Sequence, residues 1–267
     1  MMLEIRNLTK IFNLDQAPEF QKLALDNISL TVEDGEFVTI IGGNGSGKST
    51  LMNMISGVYA PTSGTILIDG VDVTNKPEYE RAKYLGRVFQ DPMMGTASNM
   101  SISENLELAI RRGEKRTLRW GFKKENEEIF VKTLSGLNLG LEDRLSHKVG
   151  LLSGGQRQAV TLVMATLKKP KLLLLDEHTA ALDPKTASKV LDLTCRVVEE
   201  NKLTTLMITH NMRDAIKYGD RLIMFDGGHI VFDIKGEEKK NLTIEQLLKK
   251  FENDSEVVLD DKLLLSK

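Results

Sequence analysis

Short runs in which Ile, Val, Leu and Phe dominate or alternate with polar residues occupy positions 3–12, 25–32 and 37–41, and predict three strands early in the chain. Asp34-Gly35 and Asp69-Gly70 are hairpin-type turn signals. The polar run NLDQAPEFQK, 13–22, carries no recognisable chemistry and predicts a surface loop between the first two strands. After Ile41 a glycine-rich turn leads into a helical stretch, 49–56. Strand, glycine loop and helix, in that order, form the context that a phosphate-binding loop requires.

From Gln90 to about Leu152 the pattern turns helical, with 102–111 and 124–134 as helices, and predicts a helical subdomain inserted at about 91–165. Short apolar strands return at 171–175, 205–209 and 222–225, with helices 185–200 and 212–218 between them. Such alternation predicts an α/β fold with a mostly parallel core sheet covered by helices. A further amphipathic helix is expected at 243–251. The tail after it mixes acids with apolar residues, a pattern that fits disorder or partner docking equally. The sequence contains no internal repeat or low-complexity stretch.

Composition narrows the class. With 267 residues and 41% hydrophobic content, the chain can bury a sizeable core as one large domain or as a domain with a subdomain. A net charge of −2 gives no basic field, so nucleic acid is not the expected partner. No apolar run approaches the ~18 residues of a membrane span, and the leucines before Asp176 and Glu177 are halted by those two acids. The N-terminus, MMLEIRNLTK, lacks the apolar segment of a signal peptide, so the expectation is a chain that stays in the cytoplasm. Cys195, the single cysteine, can form no intrachain disulfide and reads as a small core residue.

The strongest chemical signal is GGNGSGKST, which fits G-x-x-x-x-G-K-[ST] through Gly42, Gly47, Lys48 and Ser49. Gly42, Asn44, Gly45, Ser46 and Gly47 form the loop, whose backbone N–H groups can turn towards phosphate oxygens, and Thr50 lies in the first turn of the helix. Lys48 supplies a charge for β- and γ-phosphates, and the Ser49 hydroxyl is a Mg²⁺ ligand. The second signal is KLLLLDE, an apolar strand ending in Asp176 and Glu177. Open α/β sheets bind ligands at that end of their strands. Asp176 is expected to hold Mg²⁺ through its water shell, and Glu177 to orient the attacking water. Both signals fit any nucleotide hydrolase or kinase of the phosphate-loop class.

A third run, LLSGGQRQ, opens a helix with Ser153 at an N-cap position. It resembles the signature of the ATP-binding-cassette (ABC) family, and the resemblance spans roughly residues 3–251. It implies a phosphate-loop nucleotide-binding domain over 1–252, with an antiparallel β-subdomain, the helical subdomain, and a tail at 253–267. It also implies that Ser153, Gly154, Gly155 and Gln156 bind the ATP held by an opposite subunit, with Ser153 and Gly155 on its γ-phosphate. Phe12 matches the ring that stacks on adenine. Gln90, in RVFQDP, matches the glutamine that joins Mg²⁺ and water to the membrane partner, and Asp183, in AALDP, the loop that crosses the dimer interface. His210, in MITHNM, matches a switch histidine on the γ-phosphate.

The mechanism implied is a head-to-tail pair of the same or a similar ATP-binding subunit, with ATP as interfacial glue and Glu177, His210 and Gln90 serving hydrolysis. Opening and closing would reach separate permease subunits through residues 91–103, placing the chain on the cytoplasmic face of the membrane. The segment DPMMGTASNMSISENLELAIRRG is similar to cassette subunits of branched-chain amino-acid importers, which favours an importer served by an extracytoplasmic binding protein. The rival class is a soluble cassette in translation or DNA repair, whose members carry tandem cassettes or long coiled coils, neither of which this sequence contains. A small-molecule kinase gives no reason for LSGGQ. Two departures from the common pattern stand out: His178 follows Glu177 where proline is frequent, and TLVMATL lacks an arginine often seen after the signature.

Overall fold

The computed structural model describes residues 1–114 and 124–254, so the tail from Ser255 onward lies outside the described residues. In chain order the first elements are β1 (Leu3–Phe12), β2 (Lys22–Val32), β3 (Phe37–Gly42), α1 (Lys48–Ser56), β4 (Ser63–Ile68), β5 (Val71–Asp72) and α2 (Glu78–Arg81). Then come β6 (Leu85–Val88), α3 (Ile102–Ile110), α4 (Lys124–Ser135), α5 (Gly154–Thr166), β7 (Leu172–Asp176) and α6 (Pro184–Asn201). The chain continues with β8 (Thr205–Ile208), α7 (Met212–Lys217), β9 (Arg221–Asp226), β10 (His229–Lys235), α8 (Glu237–Lys240) and α9 (Ile244–Asp254). Two compact units result, one from Met1–Arg81 with the chain from Leu203 onward, the other Ala82–Lys202. No helix among the described residues is long and apolar enough to cross a membrane.

The first unit holds an antiparallel sheet in the order β2-β1-β4-β5. Asp69 and Gly70 make the expected two-residue hairpin: φ is 51° and 73°, the left-handed pair of a type I′ turn, and Ile68 pairs with Val71. Asp34-Gly35 does not. It joins β2 to β3, which pairs with β8 and β9 rather than with β2, and the Gly35 N–H donates to Thr204 Oγ1 at 2.9 Å instead of closing a ladder. Lys22, expected in the loop, opens β2 opposite Phe12.

In the same unit β3 lies parallel to both β8 and β9, and β10 runs antiparallel beside β9. Every residue of β3 is buried, which is why its sequence reads as a continuous apolar run rather than an alternation. Its one polar side chain, Thr39, donates to the Ala215 carbonyl at 2.9 Å. Ile41, Met212, Ala215, Leu222, Met224, Phe232, Ile234 and Leu247 form one core cluster that seats α7 and α9 on these strands. Each large apolar side chain buried in this way contributes ~1.5–3 kcal/mol.

In the second unit β6 and β7 pair in parallel, Leu85 with Leu172 through Val88 with Leu175. Leu172, Leu173, Leu174 and Leu175 are fully buried. Helix α5 packs against α3, α6 and β6. Its C-terminal carbonyls are closed by Arg112, which donates from Nη1 to Ala165 at 2.8 Å and from Nη2 to Lys168. Helix α3 begins with a reciprocal cap: Ser101 Oγ accepts from the Glu104 N–H at 3.2 Å, and Glu104 Oε2 accepts from the Ser101 N–H at 2.6 Å.

Candidate functional site

The end of β3 delivers the glycine loop. Gly42 has φ 150°, and a Cβ there would stand 2.2 Å from the Phe225 carbonyl oxygen on β9, so only glycine fits where the strand turns into the loop. Gly47 then caps α1 in a left-handed conformation, φ 106°, with no side-chain hydrogen bond to the helix N-terminus. Asn44, Gly45 and Ser49 are exposed, Thr50 half-buried, and Ser46 and Lys48 buried. Lys48 Nζ donates to the carbonyls of Gly42 at 2.9 Å and Gly43 at 2.8 Å, which hold the ammonium back across its own loop. An exposed N–H-rich turn, a helix N-terminus and one lysine in reach give an anion site for phosphate.

His210 follows β8, whose Ile208 lies beside Ile40 of β3, and Thr209 N–H donates to the Ile40 carbonyl at 3.1 Å. The parallel pairing thus brings His210 and the glycine loop out at the same end of their strands. Phe12, at the end of β1, meets Tyr59 edge-on with ring centroids 5.2 Å apart, and Lys10 Nζ lies 5.0 Å from its centroid. Lys10 is itself tied to the Ala60 carbonyl at 2.9 Å. Sequence reasoning missed Tyr59, which has no motif around it; only the β1 to β4 pairing brings that turn beside Phe12.

In the second unit the register of β6 on β7 brings Gln90 and the Asp176-Glu177 pair out at one strand end. Arg87, on β6, sits 3.6 Å from Asp176 Oδ2. Glu177 is half-buried and left-handed, φ 46°, a conformation that costs a non-glycine residue ~1 kcal/mol or more. His178 is buried, and desolvation pushes its imidazole down to about 4, so the ring is neutral at neutral pH.

Ser153 is the N-cap of α5: its Oγ accepts from the Gln156 N–H and Gln156 Oε1 accepts from the Ser153 N–H, both at 3.3 Å. Ser153 and Gly154 are exposed, whereas Gly155 is buried against α6, where a Cβ would stand 2.3 Å from Thr186 Cγ2. Asp183 caps α6, accepting from the Thr186 N–H at 3.1 Å, and hydrogen bonding from the Thr186 side chain, then from its backbone, holds the carboxyl below the usual range. The signature glycines and Asp183 therefore meet at one helix pair, which their separation in sequence does not reveal.

Among the described residues no group of three or more His, Cys, Asp and Glu side chains could hold a metal ion. Ser49 in the first unit, and Gln90 and Asp176 in the second, each carry an oxygen donor of the kind Mg²⁺ takes beside waters and substrate phosphates.

The ABC transporter family model matches residues 25–180. The tyrosine transport ATP-binding protein of Clostridioides difficile (strain R20291) is 49% identical over 252 residues, covering 94% of this chain and 99% of that protein. The energy-coupling factor transporter ATP-binding protein EcfA2 of Clostridium perfringens (strain 13 / Type A) is 36% identical over 92% of this chain and 85% of its own length. A dimeric post-hydrolysis structure of the ATP-binding cassette MJ0796 bound to ADP and Pi superposes with TM-score 0.73 at 31% identity, over 88% of this chain and 98% of that one. A family match over more than half the chain, on a fold that turns its glycine loop out beside parallel strand ends, leaves one assignment: the chain belongs to the ABC transporter family, as an ATP-hydrolysing subunit of a transporter.

Proposed function

We propose that the chain drives an importer of amino acids or related small molecules, by pairing head to tail with a second ATP-binding subunit and moving separate permease subunits. The cargo class is supported by the relative named for tyrosine transport, and the pairing by the dimeric cassette with ADP and Pi. A binding protein outside the membrane, and a location on its cytoplasmic face, follow from that reading.

Each residue then has a chemical task. Residues 42–50 bind the phosphates by backbone N–H groups, with Lys48 leaving the Gly42 and Gly43 carbonyls for the β- and γ-oxygens. Phe12 stacks on adenine. Ser49, Gln90 and Asp176 would hold Mg²⁺, which when bound neutralises charge on the phosphates. Glu177 orients the attacking water and accepts its proton, and His210 donates to the γ-phosphate. Ser153 to Gln156 and Asp183 meet the nucleotide held by the other subunit.

The observation that carries the reading is the β6–β7 register, which sends Gln90 and Glu177 to one strand end, where the residue that touches the partner and the residue that activates water can respond together. The test is Glu177→Gln. Turnover should fall by ~10² or more, the scale for a positioned catalytic group, while ATP binding persists; near-normal turnover rejects the assignment. Isolation of the chain from its native membrane, followed by identification of the copurifying permease and of the ligand that stimulates ATPase activity, tests the importer reading.

A further inference from the structure

We infer that His178 is a positioning residue for hydrolysis, which fixes the backbone of Glu177 by donating a hydrogen bond from Nε2 to Thr194 on α6. The inference rests on the water-activating role proposed for Glu177. It concerns a position where this sequence departs from the proline common in the family.

The bond is defined at both ends. His178 Nε2 lies 3.1 Å from Thr194 Oγ1, and both residues are buried. The Thr194 hydroxyl has one proton, and it goes to the Val190 carbonyl at 2.8 Å, one helical turn back. Oγ1 is therefore the acceptor towards the ring, and His178 carries its proton on Nε2. Thr194 is β-branched within a helix, so its rotamer is restricted and its lone pair is aimed by α6 itself.

The consequence falls on the preceding residue. Glu177 sits at φ 46°, and a non-glycine residue stays there only when its surroundings fix it from more than one side. One constraint is local: the Ala180 N–H donates to the Glu177 carbonyl at 2.9 Å. The other is the side chain of the next residue, since relaxing Glu177 towards extended backbone would rotate His178 out of its buried place. The His178–Thr194 bond spans 16 residues and closes a loop that contains Asp183, the N-cap of α6. Glu177 and Asp183 are thereby both referenced to one helix.

The test uses Thr194→Val, which keeps shape and removes the acceptor, Thr194→Ser, which restores it, and His178→Leu, in the full chain with steady-state ATPase normalised to folded protein. The expected result is a kcat loss of ~10- to ~100-fold in Thr194→Val and His178→Leu, the scale of a small misplacement of a catalytic group. The KM for ATP is unchanged, Thr194→Ser is close to wild type, and the double variant is no worse than either single. Wild-type kcat in folded Thr194→Val, whatever its melting point, overturns the inference. Glu177→Gln is measured beside them. If it is inactive while Thr194→Val turns over normally, the His178 role alone fails; if Glu177→Gln itself turns over normally, the role of Glu177 and the inference fail together.

Discussion

Arg81 Nη1 donates to the Met54 carbonyl at 2.7 Å, so a buried guanidinium closes the C-terminus of the same helix whose N-terminus carries Lys48 and Ser49. Arg81 also reaches Ile55 at 3.0 Å, Thr74 at 3.0 Å and Lys76 at 2.7 Å, all backbone carbonyls, and a cation at that end complements the helix dipole. Its burial lowers its pKa, opposed by the charge of Asp72.

Arg81→Leu removes the donor group that four carbonyls share, of which Met54 keeps the Gly57 N–H at 3.2 Å. The expected loss of stability is ~3 kcal/mol or more, because hydrogen bonds to a charged group contribute most when their partners are buried. Denaturant unfolding measures it. Arg81→Lys, with a single ammonium, should recover only part.

Gly155→Ala should destabilise the fold by ~1–3 kcal/mol through overpacking, since the added methyl would stand 2.3 Å from Thr186 Cγ2. Thr186→Ser removes that Cγ2. The double variant should therefore be more stable than Gly155→Ala alone, a sign reversal readable from paired thermal melts.

Asn105 is fully buried and holds the turn before α3: its Nδ2 donates to Ala97 at 3.1 Å and to Ser101 at 2.9 Å, and its Oδ1 accepts from the Ala97 N–H at 2.8 Å. This turn lies within residues 91–103, through which we propose that the chain moves its permease partner. Asn105→Ala should loosen residues 97–101 in hydrogen exchange, whereas Ser101→Ala should cost only the α3 cap, ~1 kcal/mol.

The fold should lose stability in mild acid. His178 is held down at about 4 when folded, against ~6.5 in the unfolded chain. Its full contribution is present above pH ~6.5 and falls as pH drops towards 4, by ~3 kcal/mol in all, because only the unfolded state takes up the proton in that window. Urea unfolding at pH 7 and pH 5 checks the sign, and His178→Gln should flatten the difference. Asp72, Glu104 and Asp183, whose hydrogen bonds lower their carboxyls, act in the same sense and lose their contribution at lower pH still.

What could be read from sequence was what is contiguous and what glycine demands. The loop at 42–50 is legible because Gly42 and Gly47 occupy conformations other residues avoid, and Asp69-Gly70 because a type I′ turn needs two left-handed residues. Asp34-Gly35 shows the limit of that signal: the dipeptide marks a reversal, but which sheet receives the next strand depends on β3 finding β8 and β9. Neither β6, only four residues long, nor β10 is legible in the sequence pattern. The contacts Arg81–Met54, Gly155–Thr186 and His178–Thr194 were not legible either, because each joins residues whose meeting depends on helix packing rather than on local pattern.

The most direct test is sedimentation of the Glu177→Gln chain with and without Mg²⁺ and ATP. Slow hydrolysis should trap the sandwich, giving a dimer with nucleotide and a monomer without it. A chain that remains monomeric at saturating ATP, while the unsubstituted protein still releases phosphate, would contradict it.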